Sequence, residues 1–376
     1  MEILITGDFC PINRTLNYIE TPNEIFGELL PEINKADLAI TNLECPLTSS
    51  NSKIVKTGPC IKAPESAINF LKEAGFKLVT LANNHIMDFG LEGLEDTLRV
   101  CEESGIQTVG ANLNKTEAQK PFLTTIEGKK LAVINIAENE FCTATDSLAG
   151  ANPLDLIQNY QQIIDARKTS DFVIVIYHGG REHYQLPTPR VRNTFRFFIE
   201  VGADVVVAHH PHCFSGYEIH RGRPIFYSLG NFIFDFKRKY QKGEWTKGAA
   251  LRLSLSDGNT NFALIPFYQG RQEDPRLKVL LPEQKEQFDS RIKELNRIIT
   301  TDDLFEAQWR NYIKTQSKGY RNLLRVKNKY LRKLISMGLL PQPLNLQKSH
   351  DTLLLNLFKC ETHHEIFTAV LDKDLY

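Results

Sequence analysis

Phe172-Val173-Ile174-Val175-Ile176-Tyr177-His178-Gly179-Gly180-Arg181-Glu182 is the stretch that decides the fold. Six apolar residues in succession have strand length, and their lack of polar alternation marks a strand buried on both faces, as in a parallel sheet covered by helices. The run turns polar abruptly at His178. Val205-Val206-Val207-Ala208 repeats the pattern and ends in His209-His210-Pro211-His212. Other strand candidates lie at 2–6, 38–42, 78–82, 130–136 and 224–228, with helical patterns between them, as at 65–74 and 91–104. Such alternation predicts an α/β layer fold. Apolar runs at 249–255 and 262–266 flank Asp257-Gly258-Asn259, a hairpin signal. From about residue 282 the strand runs stop and the pattern turns helical. The expected organisation is one α/β domain over 1–270 and a helical appendage over 280–376.

Composition narrows the function. Of 376 residues 42% are hydrophobic and 24% charged, which excludes a disordered chain. The 45 basic and 45 acidic side chains cancel, so no nucleic-acid partner is expected. No apolar run approaches the roughly 18 residues of a membrane-spanning helix. Met1 to Asp8 lacks the basic start and apolar core of a signal peptide. Seven cysteines, an odd number without a CxxC pair, suggest reduced thiols and a cytoplasmic location. Between Trp309 and Lys333 stand nine Lys/Arg and no acid, beside apolar residues at near-helical spacing. This run reads either as a solvated face over a packed stripe or as a surface for an anionic polymer, a nucleotide or acidic lipid.

Polar chemistry collects where the strand candidates end. The first stops at Gly7-Asp8-Phe9-Cys10, the second at Asn42-Leu43-Glu44 and the third at Asn83-Asn84-His85-Ile86-Met87-Asp88. With His178 and His210-Pro211-His212, five strand ends carry carboxylate, amide or imidazole. In α/β sheets such ends face one crevice, where ligands bind. Singly, Asp8 also reads as a helix cap, Glu44 as a surface residue and His178 as a core histidine. Together, carboxylates, an amide and three imidazoles suit one or two divalent transition-metal ions such as Mn, Fe or Zn. Two ions bridged by a carboxylate would serve hydrolytic displacement, and a neutral histidine such as His85 would protonate the leaving group.

These blocks, in order with Arg14, Pro46-Leu47-Thr48, Gly180-x-Glu182 and Tyr227-Ser228-Leu229-Gly230-Asn231-Phe232, resemble the CapA family of capsule and poly-γ-glutamate biosynthesis proteins, similar to calcineurin-like metallophosphoesterases. The resemblance covers roughly 1–270. It implies a four-layer α-β-β-α sandwich with metals at the strand ends. By position, Asp8, Glu44, Asn84, His178, His210 and His212 would be metal ligands, Glu44 bridging. His85 would contact the scissile group, and Arg14 and Glu182 the substrate. Asn42, Asp88 and Asn231 would orient the ligands. Cys10 stands where the superfamily's first motif has histidine, so a thiolate ligand there is a further expectation, set against a plain buried thiol. The usual His-Trp-Gly of the family is His178-Gly179-Gly180 here, which removes a stacking surface. The function implied is metal-dependent hydrolysis of a phosphoester or γ-glutamyl bond in surface-polymer production. The alternative is a non-catalytic partner of a polymer synthase that binds the anionic polymer or an intermediate.

Overall fold

The computed structural model describes residues 1–256, 259–325 and 328–340, with 354–356, 358, 362–364 and 366. The turn residues Asp257 and Gly258 lie outside the described residues, as do Lys327 and the side chains of Lys318, Arg321 and Arg325 from the basic run. The chain divides into two compact units, Met1–Asp302 and Asp303–Tyr376.

Two sheets form the middle of the first unit. One runs Lys278–Val279, Asn259–Tyr268, Lys247–Ser256, Glu2–Cys10, Leu38–Leu43, Leu78–Thr80, Gln107–Val109, with Asn231–Phe234 also paired to Glu2–Cys10. The other runs Tyr217–His220, Arg223–Phe226, Val205–His209, Phe172–His178, Lys129–Ala137, Phe122–Ile126. Glu2–Cys10, Leu38–Leu43, Leu78–Thr80 and Gln107–Val109 pair in parallel, as do Lys129–Ala137, Phe172–His178, Val205–His209 and Arg223–Phe226. Antiparallel strands close both edges of the second sheet and the Lys278–Val279 edge of the first.

Three apolar clusters make the layering explicit. Ile3, Ile5, Ile40, Leu131, Val133, Ile174, Ile176, Val205 and Val207 pack in one cluster between the sheets. Residues of opposite parity face outward: Leu4, Ala39 and Val79 meet the helix residues Phe70, Leu71 and Leu94. On the other sheet Ala132, Ile134, Val173, Val175 and Val206 meet Ile163, Phe195 and Phe198. A strand's side chains alternate, so an unbroken apolar strand fills both interfaces at once. The fold is the four-layer α-β-β-α sandwich.

The helix Pro282–Thr300 completes the second outer layer through Phe288, Ile292 and Leu295. The compact unit therefore extends to Asp302, past the boundary expected near 270–282. The second unit contains the helix Lys329–Ser336, capped by Asn328, whose Oδ1 accepts from the amides of Tyr330 and Leu331. No helix among the described residues is long and apolar enough to cross a membrane.

A local irregularity aims the first site residue. Ile5 pairs with Ile40, yet Asp8 pairs with Asn42, so one extra residue is inserted in the first strand. In strict alternation Asp8 would share the outward parity of Leu4. The bulge restores it to the parity of Ile5, facing the gap between the sheets. Gly7 makes the insertion feasible: a Cβ there would stand 1.9 Å from the carbonyl oxygen of Gly230.

Candidate metal centre

Asp8, Glu44, His178, His210 and His212 converge at the carboxyl ends of the parallel strands, all buried. Two overlapping sets form, each with donor atoms within 4.8 Å of one another: Glu44, His178 and His210, and Asp8, Glu44 and His212. Glu44 belongs to both. Its Oε1 lies 3.7 Å from His178 Nε2 and 3.5 Å from His212 Nε2.

Asp8, His178 and His212 are held from behind. Asn42 donates to Asp8 Oδ1 at 2.8 Å, and its amide nitrogen stands 3.1 Å from His178 Nδ1. The His210 amide donates to Asp8 Oδ2 at 3.1 Å. Asn231 Oδ1 lies 2.9 Å from His212 Nδ1, while its amide donates to the carbonyl of Trp245. Asn84 Oδ1 meets His178 Nε2 at 3.1 Å, and Asn83 secures the turn by donating to the Leu43 carbonyl. His210 (φ 94°) and His212 (φ 54°) both occupy positive φ. For non-glycine residues this backbone is strained and persists only where the surroundings enforce it, as they do around Pro211.

The electrostatics describe a site that lacks positive charge. Burial raises the Asp8 carboxyl to about 7 against the bonds from Asn42 and His210. Burial, then the nearby Asp8, pushes Glu44 well above the carboxylate range. Burial lowers His210 to about 3 and holds His178 and His212 well below the usual imidazole value. Neither carboxylate oxygen of Glu44 has a hydrogen-bond partner. A buried carboxylate without partners is costly unless a cation compensates it. Neutral imidazoles, two carboxylates and an amide oxygen are the donor set of a borderline divalent ion, so the residues fit the metal that the sequence implies.

His85 stands beside this group, buried, with Nδ1 2.7 Å from Asp88 Oδ2. Asp88 also accepts from the Ile61 amide and from Lys56. With a carboxylate on Nδ1, the neutral ring carries its proton there and leaves Nε2 bare. Burial is the largest influence on His85 and favours that neutral form. The neutral ring thus presents Nε2 as an acceptor. Glu182 is exposed, with its charge felt by both Glu44 and His85.

Two expected residues are placed elsewhere. The Arg14 guanidinium is gripped by Asp235 through Nε (3.0 Å) and Nη2 (2.6 Å), and also donates to the carbonyls of Arg271 and Gln272. Those bonds tie the start of the chain to 235–272 and engage the fork that would hold a substrate. Cys10 lies in the outer apolar cluster with Cys45, and burial followed by Cys45 raises its thiol. Among the described residues neither three-donor set contains a cysteine. At Gly179, a Cβ would fall 2.7 Å from the Glu138 side chain. Glu138 accepts from the Gly180 amide and pairs with Arg190, so an acid occupies the space beside the glycine. Sequence reasoning missed Lys56, which lies in an irregular segment with no pattern to single it out. It also missed Trp245, whose ring centre is 4.7 Å from that of His212.

Residues 2–236 match the family described as bacterial capsule synthesis protein PGA_cap. The chain belongs to that family. It is 30% identical over 246 residues to capsule biosynthesis protein CapA of Bacillus anthracis, covering 63% of this chain and 59% of that protein. It is 26% identical over 227 residues to a probable polyglutamine synthesis accessory protein of Mycobacterium tuberculosis, covering 56% of this chain and 60% of the relative. The chain thus spans about three fifths of the length of the relatives it matches. A hypothetical protein from Thermus thermophilus superposes with a TM-score of 0.46 at 15% identity, over 71% of this chain and 99% of the other.

Proposed function

We propose that this chain is a metal-dependent hydrolase of phosphoester or γ-glutamyl bonds, acting in the production of capsule, poly-γ-glutamate or another surface polymer. Asp8, Glu44, Asn84, His178, His210 and His212 would hold one or two Mn, Fe or Zn ions. The observation that carries the reading is Glu44: buried, unbonded at both oxygens and common to both donor sets. A divalent ion bound there supplies Lewis-acid charge to a scissile oxygen. The protein orients the imidazoles through Asn42 and Asn231, and His85 would take the proton of the attacking water at Nε2 and return it to the leaving group.

A second reading, a non-catalytic partner of a polymer synthase, is favoured by the likeness to the mycobacterial accessory protein of polyglutamine synthesis. Elemental analysis of protein purified without chelator, beside Asp8→Asn and His210→Ala, separates the two. Bound transition metal that is lost in both variants, with hydrolysis of a phosphoester or γ-glutamyl substrate that follows metal content, supports the hydrolase. Protein that takes up no metal from added Mn, Zn or Fe overturns it. Metal without turnover of either substrate class favours the binding partner.

A further inference from the structure

Lys56 sits in 48–62, a stretch with scarcely any regular structure that crosses over the Asn83–Asp88 turn. Its side chain is 3% exposed. Lysine is seldom buried unless its ammonium is fully engaged. Here Nζ donates to the Asn84 carbonyl at 2.8 Å and to Asp88 Oδ1 at 2.5 Å, and stands 3.4 Å from His85 Nδ1. All three contacts fall on one six-residue turn, and two of them on residues flanking His85.

The surroundings give the lysine a specific task. The other Asp88 oxygen, Oδ2, faces His85 Nδ1 and the Ile61 amide, and the Ile54 amide donates to the Asp88 carbonyl. Lys56, Ile54 and Ile61 therefore fasten the crossing segment to Asp88 like a strap. Of these three, Lys56 also reaches the Asn84 carbonyl, which accepts from Cys142 Sγ as well. A buried salt bridge meant for stability alone has no need to bond the carbonyl of the proposed amide ligand. Asp88 is fully buried, and Lys56 is its bonded cation.

The geometry points to Lys56 as a positioning residue: it locks Asp88 against His85 Nδ1 and fixes Asn84, so that His85 Nε2 and the Asn84 amide are held in place together. This rests on the hydrolase reading for its catalytic consequence, but not for its structural one.

The test uses Lys56→Met, Lys56→Arg and the wild-type chain, with 15N-histidine NMR as a readout independent of turnover. The expected result is a wild-type His85 signal of a fixed tautomer with the proton on Nδ1. In Lys56→Met that signal becomes averaged while His209 and His220 keep theirs, and Lys56→Arg restores much of it. Where the chain turns over substrate, Lys56→Met lowers kcat about tenfold with KM within twofold, and Lys56→Arg recovers part of the loss. A His85 signal unchanged in Lys56→Met overturns the inference, as does an equal shift of every histidine. If the wild type hydrolyses nothing, the hydrolase reading fails by itself and the His85 signal still decides the role of Lys56. Should Lys56→Met not fold, Lys56→Gln, which keeps an N–H donor without the charge, is read by the same criteria.

Discussion

The backbone amide of His210 donates to the carboxylate of Asp8 at 3.1 Å, across 202 residues of sequence. The bond joins the end of a strand in one sheet to the bulge of a strand in the other. It also explains why His210 tolerates a φ of 94°: in that conformation its N–H meets a buried acceptor. A site residue in each sheet thus depends on the other, and the crevice between the sheets is defined by their contact.

Metal uptake should follow Asp8 more than the imidazoles. The histidines are depressed, His210 to about 3, and stay neutral through the physiological range. Asp8 is raised to about 7, so protons compete with a cation there. Apparent metal affinity should climb as pH rises from 6 to 8, measured by competition with a chelating dye. Affinity that is flat over this window would remove Asp8 from the ligand set.

The same shift fixes the stability of the metal-free protein. A carboxyl whose folded value is raised contributes stability that is complete below its unfolded value, near 3.8, and lost as pH rises through the folded value. The loss is of the order of 4 kcal/mol for Asp8 alone. Chelated protein should melt at lower temperature at pH 8 than at pH 5, and added divalent metal should reverse the difference at pH 8. Calorimetry at both pH values checks the sign.

Glu44→Gln separates function from stability. The amide cannot carry the buried charge, so at pH 8 the metal-free variant should melt no lower than metal-free wild type. Its metal content should nevertheless fall well below that of the wild type. A variant that retains full metal would show that Glu44 does not bridge.

Asn231→Ala should weaken metal binding without abolishing it. Asn231 faces His212 Nδ1 at 2.9 Å and fixes the ring that points Nε2 toward Glu44. Loss of such an orienting partner costs roughly 10–100-fold in affinity. Isothermal titration with Zn or Mn measures it, with an unchanged affinity counting against the role.

Arg14→Ala and Cys10→Ala test the two expectations that the structure moved. Breaking the Arg14 fork leaves buried Asp235 without its charge partner, a loss of roughly 3 kcal/mol. Metal content per folded molecule should be unaltered in both variants. If Arg14→Ala instead raises KM with no loss of stability, Arg14 touches substrate after all.

The sequence made the α/β layering legible at 172–178 and 205–209, because strands buried on both faces cannot alternate and so announce themselves. It also placed most of the polar cluster, since residues ending parallel strands share one edge whatever the loops do. Boundaries were less legible. The strand expected at 78–82 stops at Thr80: Leu81 still donates to the Val109 carbonyl, but the Ala82 amide turns to the Asn135 side chain. Asn231–Phe234 proved to be a strand paired to Glu2–Cys10, an element absent from the strand candidates.

What the sequence alone determined is chemistry and order: the central buried strands, and that Asp8, Glu44, Asn84, His178, His210 and His212 stand at strand ends. Orientation belonged to the tertiary structure. The bulge before Asp8, the donation of Arg14 to Asp235, the retreat of Cys10 into the outer cluster and the burial of Lys56 under its own strap all depend on partners tens to hundreds of residues away. Residue type sets what a side chain can do, but its direction follows from ladder register and from which distant groups fill its hydrogen bonds, and neither is written in local sequence.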